Sequence, residues 1–380
     1  MKIVIAPDSF KESLGAPEVA AAIAEGVRQA APQAEIVCIP MADGGEGTVA
    51  AVLAATGGQW KTTPVQGALG EPLQARWGWL ADGTAVIEMA AAAGLEQIAP
   101  ADRRPLQASS FGVGQLVAAA LDAGARRIIL GLGGSSTTDG GAGMLSALGM
   151  RWLDERGQPL PPGGAALRHL AEIDASGLDP RLADIPVTVA SDVNNPLCGT
   201  KGAAHVFGPQ KGATPEQVAE LDAALTRLAD VCAHHLGRDL RSEPGAGSAG
   251  GLGFAARAFM RADFRPGVEV VAELGGLAQA VQGASLVFTG EGRMDAQTLH
   301  GKTPAGVARI AQAAGVPVVA LAGSLGDGYE ALYEVGISAA FSLAPGPITL
   351  QEALSRAGEL LAARARDATR LWLAGRRQAL

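Results

Sequence analysis

The sequence predicts an α/β protein: a doubly wound parallel-sheet domain with a second α/β domain inserted into it. Three observations carry this expectation. Short apolar runs alternate with amphipathic helical stretches at the start of the chain, as in a parallel sheet covered by helices on both faces. Between about residues 60 and 88 the pattern changes to three short segments separated by Gly and Pro turns. That region holds Trp60, Trp77 and Trp79, three of the five tryptophans, and it reads as an antiparallel meander that opens a second domain. From residue 284 the first style returns. The expected boundaries are therefore 1–64 with 284–380 for a discontinuous domain and 65–283 for the insertion, with the functional site in the cleft between them.

At the N-terminus, residues 2–6 read as a buried strand, followed by the polar loop 7–13. Pro17 suits the first turn of a helix reaching about residue 31, with Val19, Ile23 and Val27 on one face. A strand over 35–39, the loop 40–48 and a helix over 49–56 follow. In the middle, a helix over 110–123 leads to a strand at 128–130, and a further strand is expected at 186–191. Thr214 and Gln217 form a capping box for a long helix beginning at Pro215. After 284 the reading gives a strand at 285–289, a loop at 290–301, and a helix from Pro304 capped by Thr303. Strands at 316–320 and 337–341 precede a closing helix with a second box, Thr349 and Glu352.

Composition narrows the function. The 380 residues carry a net charge of −8, no basic block and only 4% aromatic residues, so nucleic acid is not expected as a partner. Cys38, Cys198 and Cys232 form no C-x-x-C pair. That argues against a cysteine zinc cage or a disulfide framework and suits a reducing compartment. The first apolar run is too short for a signal sequence. No uninterrupted apolar stretch approaches the ~20 residues of a spanning helix. The expectation is a cytoplasmic protein with no membrane partner; monomer and dimer both remain open.

The stretch that organises the rest is Gly131-Leu-Gly-Gly-Ser-Ser-Thr-Thr-Asp-Gly-Gly-Ala-Gly143. A strand, a glycine-rich turn and a helical pattern (Met144, Leu145, Leu148, Met150) can present several backbone N–H groups to an anion, aided by the helix dipole. On its own, a tight strand-to-helix turn that binds nothing would look the same. Ser136 stands where a dinucleotide fingerprint needs its third Gly, which argues against a nicotinamide-dependent oxidoreductase.

Other loops at strand ends add to it. They carry Asp8, Ser9 and Lys11; Asp43 and Glu46; Asp192, Asn194 and Asn195; and Glu291, Arg293 and Asp295. Of the six lysines (Lys2, Lys11, Lys61, Lys201, Lys211, Lys302), four fall in such polar loops. Carboxylates, glycines and a few lysines are what phosphoryl transfer requires: oxygen ligands for Mg²⁺, donors for phosphate, and an acceptor for the hydroxyl proton. His300-Gly-Lys-Thr303 imitates the tail of a Walker A loop, but Ala296 replaces its first Gly. No H-E-x-x-H or G-x-S-x-G occurs.

Taken together, residues 6–11, 42–48, 131–144, 191–199, 206–213 and 290–304 resemble the bacterial two-domain glycerate kinase family, six motifs in order along the whole chain. The resemblance implies a flavodoxin-like domain carrying an inserted domain. It also implies ATP- and Mg²⁺-dependent phosphorylation of D-glycerate, with 2-phosphoglycerate expected as the product over 3-phosphoglycerate. A kinase for another small hydroxy acid and a non-catalytic carboxylate-binding regulator are the alternatives.

The expected roles rest on shared position at strand ends. Asp8 or Asp192 would accept the proton, and Lys11 and Lys302 would meet phosphate or carboxylate. The amides of Gly133, Gly134, Ser135 and Ser136, with Thr137 and Lys211, would bind phosphate or nucleotide. Ser9, Asn194, Glu291 and Arg293 would bind substrate, and Asp43 and Asp139 would lie near Mg²⁺.

Overall fold

The computed structural model describes residues 1–299 and 301–378, the side chains of 377 and 378 excepted. His300, which opens the Walker-like segment, lies outside the described residues. In chain order the strands are Lys2–Ile5 (β1), Glu35–Cys38 (β2), Gln59–Gln66 (β3), Pro72–Trp79 (β4), Thr84–Glu88 (β5), Arg127–Gly131 (β6) and Arg151–Leu153 (β7). Glu172–Asp174 (β8), Val187–Ala190 (β9), Asp263–Arg265 (β10), Leu286–Met294 (β11), Val318–Leu325 (β12) and Ile337–Ser342 (β13) complete them. The chain divides into two compact units. The first comprises Met1–Asp43, Ala50–Gly58 and Pro266 onward; the second comprises Gly44–Val49 and Gln59–Arg265.

The first unit is built on a five-stranded sheet in the order β13-β12-β11-β1-β2, with every pairing parallel. Numbered within the unit, that is the 2-1-3-4-5 order of flavodoxin-like folds. Its topological switch point falls between β1 and β11, where such sheets open a crevice at the carboxyl ends of the strands. The β1 run Ile3-Val-Ile5 is wholly buried, as a central parallel strand covered on both faces must be. Val19, Ile23 and Val27 of the helix Ala16–Ala30 pack with Leu360, Leu361 and Ala365 of the helix Ala357–Gln378 into one core.

Residues 290–294 are a strand, not the expected loop. Gly290, Glu291, Arg293 and Met294 pair with Leu321, Ala322, Ser324 and Leu325 of β12. A β-carbon at Gly290 would overlap the Leu321 carbonyl oxygen, so the glycines that suggested a turn instead let two strands run close together. Thr303 begins the helix Thr303–Ala313 without capping it; its hydroxyl is used elsewhere. The closing helix comes as two, Leu350–Ser355 and Ala357–Gln378. Thr349 caps the shorter one by accepting from the Glu352 amide at 3.2 Å.

The second unit holds a six-stranded sheet, β10-β9-β6-β5-β4-β3. The four strands β10, β9, β6 and β5 pair in parallel, and β4 and β3 add the antiparallel meander. Its core includes Ile128 and Leu130 of β6, Val113 and Leu116 of the helix Phe111–Asp122, and Leu221, Leu225 and Leu228 of the helix Pro215–Leu236. The box at Thr214 and Gln217 caps that last helix in both directions. The helix after the glycine loop is only Ala142–Ala147, which leaves Leu148 and Met150 beyond it.

Gly26 sets how closely the two long helices of the first unit approach: a β-carbon there would overlap the Ala362 carbonyl oxygen. Replacing Gly by Ala favours a helix by about 0.5–1 kcal/mol, whereas forced overpacking costs about 1–3 kcal/mol. Overpacking should win. Gly26→Ala is expected to lower stability by about 1–2 kcal/mol in urea denaturation; an unchanged or raised midpoint would refute the packing argument.

Candidate active site

In the second unit, β5, β6 and β9 end side by side, and their following loops hold most of its polar motifs. The loop after β6 is organised from below by Asp139, which is 1% exposed. Its Oδ2 accepts from the Ser110 amide (2.8 Å), the Ser110 hydroxyl (2.8 Å) and the Gly143 amide (3.2 Å), and its Oδ1 accepts from the Gly141 amide (3.1 Å). Burial pushes its carboxyl up from the usual range, while the hydrogen bonds from Ser110, Gly141 and Gly143 pull it down. Gly140 and Gly141 take left-handed backbone (φ 63° and 75°) to wrap around it.

Two expectations change here. Asp139 is not placed as a metal ligand: four donors already occupy its oxygens. It also occupies the start of the helix Ala142–Ala147, so that helix end is neutralised from within and does not serve an outside anion.

Lys211 and Ser136 are also placed differently from expectation. Lys211 is 1% exposed, and its ammonium donates to the Thr137 carbonyl at 2.6 Å. Burial lowers its pKa to about 7, and Asp139 opposes the shift. It faces inward and does not reach the loop's outer surface. The Ser136 amide and hydroxyl both donate to the Ala93 carbonyl, at 3.0 and 2.9 Å, so that amide is spent. Thr137 is fully buried, and its hydroxyl has no partner among the described residues.

Among the described residues no acceptor takes the amides of Gly133, Gly134 or Ser135. Gly134 is exposed, and Gly133 lies so close to the 44–48 loop that a β-carbon would sit 2.5 Å from the Gly45 α-carbon. The loop thus offers three backbone donors, not the four expected. Asp192 and Asn194 are exposed on the loop after β9.

In the first unit, the switch point gathers a set of carboxyls. Asp8 follows β1, and its amide donates to the Gly290 carbonyl of β11 at 2.8 Å. Its Oδ1 accepts from the Ser9 amide at 2.6 Å and the Ser9 hydroxyl at 3.3 Å, and its Oδ2 accepts from the Thr303 hydroxyl. Burial, followed by the nearby charge of Asp43, raises the Asp8 pKa to about 6 against the pull of Thr303 and Ser9.

Glu291 on β11 accepts from the Thr298 hydroxyl at 2.6 Å and faces the Lys302 ammonium at 3.6 Å. Burial raises its pKa to about 7, with Thr298 and Lys302 opposing and Asp8 and Asp43 assisting. Arg293 is exposed and pairs with Asp295 at 3.2 Å. Lys11 is exposed.

Among the described residues no group of three or more His, Cys, Asp or Glu side chains is arranged to hold a metal by itself. Asp43 is close enough to raise the cost of ionising Asp8, so a dication near them would be favoured. Two carboxylates with water and phosphate oxygens are the usual donor set of Mg²⁺.

The sequence reading missed Ser110, Thr298 and Thr303 as partners of acids. It also missed Glu88 at the end of β5, whose carboxylate accepts from the Val49 amide at 2.6 Å and holds the start of the helix Thr48–Thr56. The segment Ser109-Ser-Phe-Gly112 had suggested only a helix start.

Comparison with known proteins is decisive at this point. The model of the glycerate kinase family matches residues 3–373. The chain belongs to the glycerate kinase family. It is similar to the glycerate kinase of Bacillus subtilis strain 168, with 50% identity over 97% of this chain and 96% of that one. It is equally similar to the glycerate 2-kinase of Escherichia coli K12, with 50% identity over 93% of each. A crystal structure from Salmonella typhimurium LT2, provisionally assigned as glycerate kinase 2, superposes with a TM-score of 0.90 at 49% identity and covers 99% of both chains. Membership of the glycerate kinase family makes this chain an enzyme of the kinase class.

Thr303 tests how Asp8 is tuned. Its hydroxyl stabilises the ionised carboxylate, so Thr303→Val should move the Asp8 pKa further up from about 6. A hydrogen bond to a charged group is worth about 1.5–3 kcal/mol, which predicts a rise of about 1 to 2. Carbon-detected NMR titration of the Asp8 carboxyl would show it; an unchanged or lowered value would contradict the assignment.

Proposed function

We propose that this chain transfers the γ-phosphoryl group of ATP to the 2-hydroxyl of D-glycerate in a Mg²⁺-dependent reaction. The observation that carries the reading is Asp8 at the switch point of the first unit's sheet. It is a half-buried carboxyl beside Asp43, and its pKa of about 6 lies near neutrality. A general base works best when its pKa lies close to the operating pH. Asp8 fits that need better than Asp192, which is exposed and carries no comparable burial.

In the proposed step Asp8 accepts the proton of the glycerate hydroxyl as its oxygen forms a bond to the γ-phosphorus. The bond from that phosphorus to the bridging oxygen breaks, leaving ADP and 2-phosphoglycerate. Thr303 and Ser9 hold the Asp8 carboxylate in one orientation. Lys302, one-third exposed beside Glu291, supplies positive charge to the phosphoryl oxygens or the glycerate carboxylate. Lys11, Arg293 and Asn194 are the exposed polar groups proposed to hold substrate.

The amides of Gly133, Gly134 and Ser135 are assigned to phosphate, because among the described residues no backbone acceptor takes them. Asp43 is assigned to Mg²⁺, which when bound would neutralise charge on the phosphate oxygens.

The name of the Escherichia coli relative, a glycerate 2-kinase at 50% identity, supports the 2-hydroxyl as acceptor. The three cysteines are free thiols, which supports a cytoplasmic location. Among the described residues no helix is long and apolar enough to cross a membrane.

The test is ATP consumption with D-glycerate, L-glycerate, glycolate and glycerol, each with and without Mg²⁺, followed by phosphorus NMR of the product. Turnover confined to D-glycerate with Mg²⁺, and a phosphate on carbon 2, is the expected result. No turnover with D-glycerate from folded protein would overturn the substrate, and a phosphate on carbon 3 would overturn the regiochemistry.

A further inference from the structure

We propose that Lys211 is a positioning residue of the glycine loop: from inside the protein it fixes the Thr137 carbonyl, and so anchors the segment that presents the amides of 133–135 to phosphate. The proposal rests on the reading of that loop as a phosphate site.

Lys211 ends the short turn Pro209–Lys211 and is among the largest fully buried side chains of the chain. Its ammonium donates to the Thr137 carbonyl at 2.6 Å. The same carbonyl is walled in on another side. Ala249, Gly250 and Gly251 take left-handed backbone in succession (φ 50°, 67° and 95°) at the start of the helix Ser248–Phe259. A β-carbon at Gly250 would overlap the Thr137 carbonyl oxygen. The Gly250 carbonyl in turn accepts from the Gly140 amide at 2.9 Å. A non-glycine residue at φ 50° is held there only when its surroundings demand it. Here that backbone lies directly against residues 137–140.

This grip has a consequence one peptide along. The peptide unit is planar and trans, so fixing the Thr137 carbonyl turns the Thr138 amide to the opposite side. The hydroxyls of Thr137 and Thr138 are buried without partners among the described residues, so the loop's own side chains do not hold this step. The Thr137 carbonyl does.

A buried ammonium is costly, and a methionine of similar length would fill the space without that cost. The position of the cost is informative: it falls on one carbonyl in the middle of the loop. Asp139 then fixes the far end of the same loop through Ser110, Gly141 and Gly143.

The experiment compares the full-length wild type with Lys211→Met and the milder Lys211→Gln. It reads amide hydrogen exchange over residues 133–143 without ligand, the same exchange with ATP, and KM for ATP and D-glycerate. In wild type, ATP should protect 133–139; absence of that protection would sink the phosphate reading of the loop itself. With that protection present, Lys211→Met should exchange at least tenfold faster over 137–143 without ligand. Its KM for ATP should rise about tenfold and its KM for D-glycerate should stay within twofold of wild type.

A residue serving only general packing would instead lower Tm with both KM values unchanged, which would overturn the proposal. So would unchanged local exchange. Failure of both variants to fold would also overturn it, by making Lys211 a residue of the fold at large.

Discussion

The carboxylate of Asp139 is the point on which the second unit's polar architecture depends. It reaches back to Ser110 at the start of one helix and forward to Gly141 and Gly143 at the start of another. Each hydrogen bond to a charged acceptor contributes about 1.5–3 kcal/mol, so four of them can offset a burial penalty of several kcal/mol. The result is a closed turn whose anion lies inside. Because Asp139 already neutralises the amides at 141 and 143, the donors left for an external phosphate lie earlier, at Gly133, Gly134 and Ser135.

The first unit uses the opposite arrangement. Its sheet order places β1 beside β11 at the switch point, with Asp8 just after β1 and Glu291 within β11. Asp8 and Glu291 are only partly compensated: Thr303, Ser9 and Thr298 donate to them and Lys302 faces Glu291, yet burial and the nearby charge of Asp43 keep both pKa values high. Burial raises Asp139 as well, but protein donors already occupy both of its oxygens. Carboxyls left near neutrality at the carboxyl end of a parallel sheet have the properties of proton-transfer groups.

Much of this was legible in the residues. Ile3-Val-Ile5 and Ile128-Ile-Leu130 announced central parallel strands, the tryptophan-rich segments announced a meander, and Thr214 with Gln217 announced a helix start. Asp8, Glu291 and the glycine loop stood out as strand-end groups. What was not legible is the direction in which a side chain faces. Lys211 looked like a loop cation, but its ammonium meets the Thr137 carbonyl, 74 residues earlier in the chain, and that pairing leaves no local signal in the sequence. Thr303 looked like a cap, and its hydroxyl instead meets Asp8, 295 residues away. Gly290 looked like the start of a loop because close strand packing and chain reversal call for the same residue.

The most direct measurement on the central claim is the kinetics of Asp139→Asn. Asparagine keeps the shape but replaces one acceptor oxygen with a donor that faces amides already donating. If Asp139 organises the loop, kcat/KM for ATP should fall at least 100-fold, about 2.7 kcal/mol of transition-state stabilisation, while far-ultraviolet circular dichroism stays that of the wild type. A variant within threefold of wild type would show that the loop keeps its shape without this carboxylate, and the account given for the second unit would be wrong.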